Sequence, residues 1–245
     1  DQVRVAPIRY EQKDDSAVPV SDSVAQSLLS RVVYEDEGLL VVNKPSGIAV
    51  HGGSGVAYGL IEALRAATGK KYLELIHRID RDTSGLVMIS KKRSTLKLVQ
   101  DLLREHKIQK TYAAIVKGQV SLDQQLIDAP LFRYELANGE RRVRVSKEGK
   151  PSKTEWNVVE RFKAVTLVHA SPLSGRTHQI RVHGLSIGHP LIGDDKYGHS
   201  TAYAGPEARR LCLHAMRLQI PGYPTIEAPM PEDMQQVLHE LRKQK

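Results

Sequence analysis

Short apolar runs bounded by Gly, Pro, Asn and Asp recur along most of this chain, and they do not alternate regularly with helical patterns. A doubly wound sheet would follow each strand with a crossover helix. The irregular order instead predicts an α+β fold, a mixed and mostly antiparallel β-sheet core flanked by helices. Val32-Val33-Tyr34 and Leu39-Leu40-Val41-Val42 flank the acidic turn EDEG and predict paired strands leading into the turn Asn43-Lys44-Pro45-Ser46-Gly47. Leu60, Leu64 and Ala67 recur at helical spacing, so a helix is expected over residues 57–68, stopped by Gly69. Leu86-Val87-Met88-Ile89 reads as a short buried strand, and Leu96, Val99, Leu102 and Leu103 as the apolar stripe of a basic helix.

Residues 111–116, 154–162, 164–171 and 211–220 are further expected strands. A short helix should open after Gly175 with Thr177 as its candidate N-cap, and a terminal helix should begin at Pro231. Residues 1–30 mix Asp, Ser, Pro and Lys without periodicity and read as an N-terminal arm or linker, with one domain over residues 31–245.

The formal net charge of +8 creates a field that draws polyanions, so nucleic acid is the first partner to consider. Asn138-Gly139 signals a hairpin, and alternation beyond it sends Arg142 and Arg144 to one face and Val143 and Val145 to the other. Residues 131–153 hold seven Lys or Arg against three Glu, a local net of +4 that marks an anion-binding face rather than diffuse solubility charge. No stretch approaches the ~18 apolar residues of a membrane span, so no membrane partner is expected. Cys212 is alone, between Leu211 and Leu213, which leaves no disulfide framework and fits a reducing, cytoplasmic setting. Monomer is the default expectation for the oligomeric state.

Several chemistries drop out on spacing. GGSGVAYG lacks the Lys-Ser/Thr of a phosphate-cradling loop, and its glycines miss the dinucleotide spacing. His178 and His183 are five apart rather than the four that put two ligands on one helix face, and no metal is expected. HRID would need Asp directly after Arg, and a DFG triplet elsewhere, to be a kinase loop.

What remains is HRIDRDTSG at residues 77–85, either a solvated turn or a catalytic loop. Asp80 and Asp82 could serve as the two carboxylates of a glycosidase-type hydrolysis, and their spacing alone does not decide the matter. A single aspartate beside arginines has another use. A guanidinium favours the charged carboxylate, which is then a nucleophile for a sugar carbon or an electron-poor ring. RTHQIRVH at residues 176–183 supplies a second arginine-dense patch suited to pairing a catalytic acid or holding phosphates.

NKPSG at 43–47, HRIDRDTSG at 77–85, KTYAAIVKG at 110–118, GKPSKTEW at 149–156, GRTHQIRVH at 175–183 and GHPLIGDDKYG at 188–198 stand in an order that resembles the RluA class of pseudouridine synthases. The resemblance covers roughly residues 31–230 and is most marked to the type that acts on the bacterial large ribosomal subunit. It implies isomerisation of several uridines in 23S ribosomal RNA to pseudouridine, without cofactor or metal. It places the nucleophile at Asp80, the tyrosine that lies against the target base at Tyr112, and the basic partner of the aspartate at Arg181. Arg78 matches the residue that enters the RNA helix as the base flips out, and Asp82 becomes a bystander.

Arg176, His178 and His77 are then supports or phosphate contacts, Arg142 and Arg144 an RNA-binding face, and Lys44-Pro45 architecture beside the site. Such enzymes carry a small N-terminal RNA-binding domain, and DQVRVAPIR resembles the tail leaving it, so that domain is expected to be absent here. Two other readings stay open from the residues: a non-catalytic rRNA-binding assembly factor, and a nucleoside or glycoside hydrolase that depends on both Asp80 and Asp82.

Overall fold

The computed structural model describes residues 19–53, 55–198, 203, 205, 206 and 208–244. Helix α1 (Asp22–Leu29) is capped by Ser21, whose Oγ accepts from Val24 N at 3.4 Å. Most of the segment expected to be an arm lies outside the described residues, but 22–29 form a helix packed on the core through Ala25 and Leu28. Two buried side chains in eight residues give no periodic signal. The fold therefore begins ahead of Arg31.

Strands β1 (Val32–Glu35) and β2 (Leu39–Lys44) form the expected hairpin, its turn closed by Asp36, whose Oδ1 accepts from Gly38 N and Leu39 N at 2.7 Å each. Helix α2 (Leu60–Thr68) starts later than expected because Glu62 draws the Gly59 and Gly52 amides onto its carboxylate, at 2.8 and 3.1 Å, and so fixes the first turn there. It ends at Gly69 in the left-handed region, φ 64°. Then follow β3 (Glu74–Leu75), β4 (Ser84–Ser90), α3 (Arg93–Arg104), β5 (Gln109–Lys117), β6 (Gln124–Asp128), β7 (Leu131–Glu135) and β8 (Arg141–Val145). The chain closes with β9 (Lys153–Arg161), β10 (Val165–Pro172), α4 (Gln179–Ser186), β11 (Leu213–Gln219), β12 (Ile226–Glu227) and α5 (Glu232–Lys243).

Ten strands make one sheet in the order β1-β2-β4-β11-β5-β10-β9-β6, with β3 on β4 and β12 on β11. Its pairings are antiparallel apart from β4 with β11, which run parallel near the middle. Strands buried on both faces read as unbroken apolar runs, and β2 and β4 are of this kind. Leu40, Val42, Val87 and Ile89 pack under α1 and α2, whereas Leu39, Val41, Leu86 and Met88 pack against α3. In β5, Tyr112, Ala114 and Val116 face the cluster that holds Ile180 of α4, while Ala113 and Ile115 face Met234, Val237 and Leu238 of α5.

The parallel pair is what sets the loop before β4. Ser84 aligns with His214 and Gly85 with Ala215. Gly85 has φ 114°, and a Cβ there would run into the Ala215 backbone, so only glycine lets the two strands approach. Ser84 Oγ lies 2.8 Å from His214 Nδ1, whose Nε2 faces Ala228 O at 3.1 Å. Nε2 therefore carries the proton and Nδ1 accepts from Ser84, which in turn accepts from Arg210 Nη2 at 3.0 Å. The start of β4 is fixed by hydrogen bonds that leave no partner unmet.

Strands β7 and β8 stand apart as a two-stranded ribbon. Asn138-Gly139 lies in its turn as expected, with Gly139 at φ 81°. Val143 is buried beside Val182 of α4, which docks the ribbon on the body. Among the described residues, no helix is long and apolar enough to cross a membrane.

Candidate active site

The loop between β3 and β4 is pegged from behind. His77 Nε2 accepts from Met88 N at 3.0 Å, and burial pulls the imidazole pKa down to about 3, so His77 is a neutral strut. Ile79 is buried, which turns Arg78 and Asp80 the other way along the chain. Lys44 is fully buried and its Nζ donates to Pro45 O (2.9 Å), Ile48 O (2.7 Å) and Arg81 O (3.0 Å). Burial pulls its pKa down to about 7, and three carbonyl acceptors match the three donors of the ammonium form. Ser46 Oγ donates to Asp82 O at 2.7 Å and Gly47 N to Arg81 O at 2.8 Å. NKPSG thus clamps RD from behind and leaves Asp80 facing forward.

The two aspartates are not equivalent. Asp82 accepts from its exposed neighbour Arg81 (Nε, 3.2 Å), away from the cavity. Asp80 lines a cavity with Arg78, Tyr112, Arg176, His178 and Arg181. Its Oδ2 lies 3.5 Å from Arg181 Nη1 and 4.0 Å from His178 Nε2. Tyr112, 9% exposed, forms one wall, and burial together with the Asp80 charge pushes its phenol pKa up, so the hydroxyl stays protonated.

Arg181 comes from α4 and is 2% exposed. Its main partner is Asp194: Nε donates to Oδ2 at 2.8 Å and Nη2 to Oδ1 at 2.7 Å, a bidentate pair. Burial works against the guanidinium charge, but the hydrogen bonds and charge of Asp194 outweigh it and raise its pKa. Burial likewise opposes the Asp194 charge. Arg181 and the amides of Tyr197 and Lys196 outweigh it, and the carboxyl stays below its ordinary range. The Tyr197 ring lies against the guanidinium, with 5.2 Å to its centroid. One face of Arg181 is thereby spent on Asp194, and Nη1 is left for Asp80.

The expected cap at Thr177 is displaced by one residue. His178 itself caps α4, in the left-handed region at φ 54°, with no side-chain capping bond. Its Nδ1 lies 2.7 Å from Tyr197 Oη, which accepts from Val143 N at 3.0 Å. Tyr197 therefore donates to Nδ1, and the Nε2–H of His178 points at Asp80. Burial lowers the His178 pKa despite Asp80, so the ring is a neutral donor at pH 7. A local capping preference yields to this long-range hold on the ring.

The two hairpin arginines share a face but do not line the cavity. Arg142 is half-buried, with Nε on Glu140 at 3.1 Å and Nη1 donating to Lys196 O at 2.9 Å. Glu140 also takes Lys196 Nζ at 2.9 Å, so Arg142 is a paired tie to the segment that carries Asp194 rather than a free cation. Arg144 is exposed and lies over the rings of Phe132 and Tyr134, 5.7 and 5.4 Å to their centroids. Arg176 is exposed at the cavity rim, its Nε donating to Pro151 O at 3.3 Å. Asp194 and Tyr197 had no role in the sequence reading, although both lie in GHPLIGDDKYG. The D-x-x-Y spacing within that motif was the available signal.

Comparison with known proteins identifies relatives of this chain. Residues 38–186 match the model of a family described as RNA pseudouridylate synthase. The chain is 46% identical to ribosomal large subunit pseudouridine synthase C of Pasteurella multocida, across all of this chain and 78% of that protein. It is likewise 46% identical to the Escherichia coli K12 protein of the same name, across 99% of this chain and 79% of that one. Among solved structures it is similar to human RNA pseudouridylate synthase domain containing 4, with a TM-score of 0.75 and 25% identity over 90% of this chain and 96% of that one. Human RNA pseudouridylate synthase domain containing 1 gives a TM-score of 0.69 and 28% identity over 87% and 86%.

Proposed function

The chain belongs to the RNA pseudouridylate synthase family, and we propose that it isomerises uridines of large-subunit ribosomal RNA to pseudouridine with Asp80 as nucleophile. The reaction breaks the bond from N1 to C1′, turns the uracil while it is held, joins C5 to C1′, and loses the C5 proton to solvent as N1 gains one, so that the product is an isomer of the substrate. It needs a nucleophile, a surface for the base and a fixed countercharge, and no cofactor enters the balance.

The observation that carries the reading is Asp80 Oδ2 at 3.5 Å from Nη1 of an arginine whose other nitrogens are held by Asp194. The countercharge is preorganised, so little reorganisation accompanies the change of charge on Asp80. The Tyr112 ring supplies the wall against which a freed uracil is retained. Extruding a base from the stack costs a few kcal/mol, and Arg78, exposed at the cavity mouth, is placed to fill the gap it leaves. Arg144, Arg176 and His178 then contact or orient RNA around the pocket, and Arg142 does so through the segment it ties.

The catalytic domain on this reading runs from α1 to α5. On this reading the protein acts as a monomer, and a ribosomal substrate supports a cytoplasmic setting.

Pseudouridine mapping on an unmodified large-subunit rRNA transcript tests the reading. Wild type and Asp82→Asn should both form pseudouridine, and Asp80→Asn should form none. RNA bound by the wild type but left unmodified would leave only the assembly-factor reading. Free uracil, lost equally in both aspartate variants, would favour the hydrolase.

A further inference from the structure

Strand β5 carries one cation that neither the fold nor the chemistry above uses. Lys110 precedes Tyr112 by two residues, so both side chains leave the same face of the strand, and both line the Asp80 cavity. Lys110 also lines a larger groove of about 980 Å³, which shares Arg78 and Arg176 with that cavity and runs along the end of α3 and the start of β5. Burial lowers the pKa of the ammonium, yet its side chain makes no hydrogen bond or ion pair among the described residues. Lys110 is half-buried, so an anion in the cavity can reach its ammonium and offset part of the cost of its desolvation.

The groove around it has one sign. Arg78, Arg104, Lys107, Lys110 and Arg176 line it against a single carboxylate, Glu155. Among the described residues, Arg104 and Lys107 pair only with their neighbours Asp101 and Glu105, in ion pairs whose side chains are largely exposed. Such pairs are weak and exchange readily for a phosphate. A groove that is open, basic and continuous with the cavity suits a strand bearing a charge at every residue better than an isolated anion.

We propose that Lys110 is a phosphate ligand beside the target nucleotide and that the groove from Lys110 to Lys107 holds the ribose–phosphate strand flanking it. The proposal rests on the reading of the Asp80 cavity as the uridine site. It adds a second RNA grip, on the side of the cavity lined by α3 and β5 and distinct from the β7–β8 ribbon.

The test is salt-dependent RNA binding and single-turnover modification by wild type, Lys110→Met, Lys110→Arg and Lys107→Glu. Lys110→Met should weaken binding about tenfold and flatten the slope of log Kd against log salt by about 0.7, the loss of one single-strand phosphate contact. The rate at saturating RNA should fall less than the affinity, and Lys110→Arg should restore the slope. Lys107→Glu, at an exposed position that the fold does not depend on, should flatten the slope as well.

Unchanged slopes in Lys110→Met and Lys107→Glu would overturn the proposal, as would a Lys110→Met defect confined to the saturating rate. Should Lys110→Met fail to fold, an unchanged slope in Lys107→Glu alone overturns the groove. A wild type that binds the RNA and makes no pseudouridine would instead bring down the reading of the cavity.

Discussion

Removing the carboxylate charge at Asp194 would leave a buried guanidinium whose nearest remaining acids are Asp80 at 3.5 Å and the exposed Asp195 at 3.6 Å. Asp194→Asn should therefore destabilise the fold by about 3 kcal/mol, the scale for breaking a buried pair from one side, and draw Arg181 onto Asp80. The pH dependence has a definite sign. Asp194 has its carboxyl pKa lowered in the fold, so its contribution is full above the unfolded value of 3.8 and is lost as pH falls below it. Melting temperature against pH should show an acid limb in the wild type that is shallower in Asp194→Asn, and superimposable limbs would contradict the clamp. Asp80, Arg181 and Tyr112 were legible in the sequence because each sits in a local motif. Lys44 was legible as architecture beside the site, but its partner Arg81, thirty-seven positions away, was not, and Asp194 was missed because the Arg181 it holds is a partner that only the fold supplies.

At the scale of elements, the β7–β8 ribbon was readable from Asn138-Gly139 and from strict alternation, since a two-residue period needs no knowledge of the rest of the chain. Its charge was less readable. Arg142 and Arg144 look alike in sequence, but one is paired with Glu140 and bonded to the Lys196 carbonyl, and the other lies exposed over two aromatic rings. Arg144→Ala should weaken RNA binding and flatten its salt dependence by about 0.7 to 0.9, whereas Arg142→Ala should leave the slope closer to wild type and loosen the Asp194 segment. Equal slopes in the two variants would contradict the division. Helix α1 escaped the reading because only Ala25 and Leu28 of it are buried, and the α4 cap was misplaced because His178 is held in a left-handed conformation by Tyr197 rather than by local capping.

At the scale of the molecule, the order of elements revealed a mostly antiparallel α+β sheet, because irregular alternation of strand and helix patterns is itself a topological statement. It did not reveal the parallel contact of β4 with β11, which joins Ser84 to His214 over a separation of 130 residues. That contact places the Asp80 loop beside β5, and α4 closes over it, so Asp80, Tyr112 and Arg181 meet at a single cavity. On the proposed reading, Asp80 performs the first covalent step at uridine. The direct measurement is single-turnover tritium release from RNA labelled at uracil C5, since isomerisation exchanges the C5–H bond for C5–C1′. Asp80→Asn should bind the RNA as the wild type does and release tritium slower by about a thousandfold or more. Release by Asp80→Asn at the wild-type rate would contradict the account.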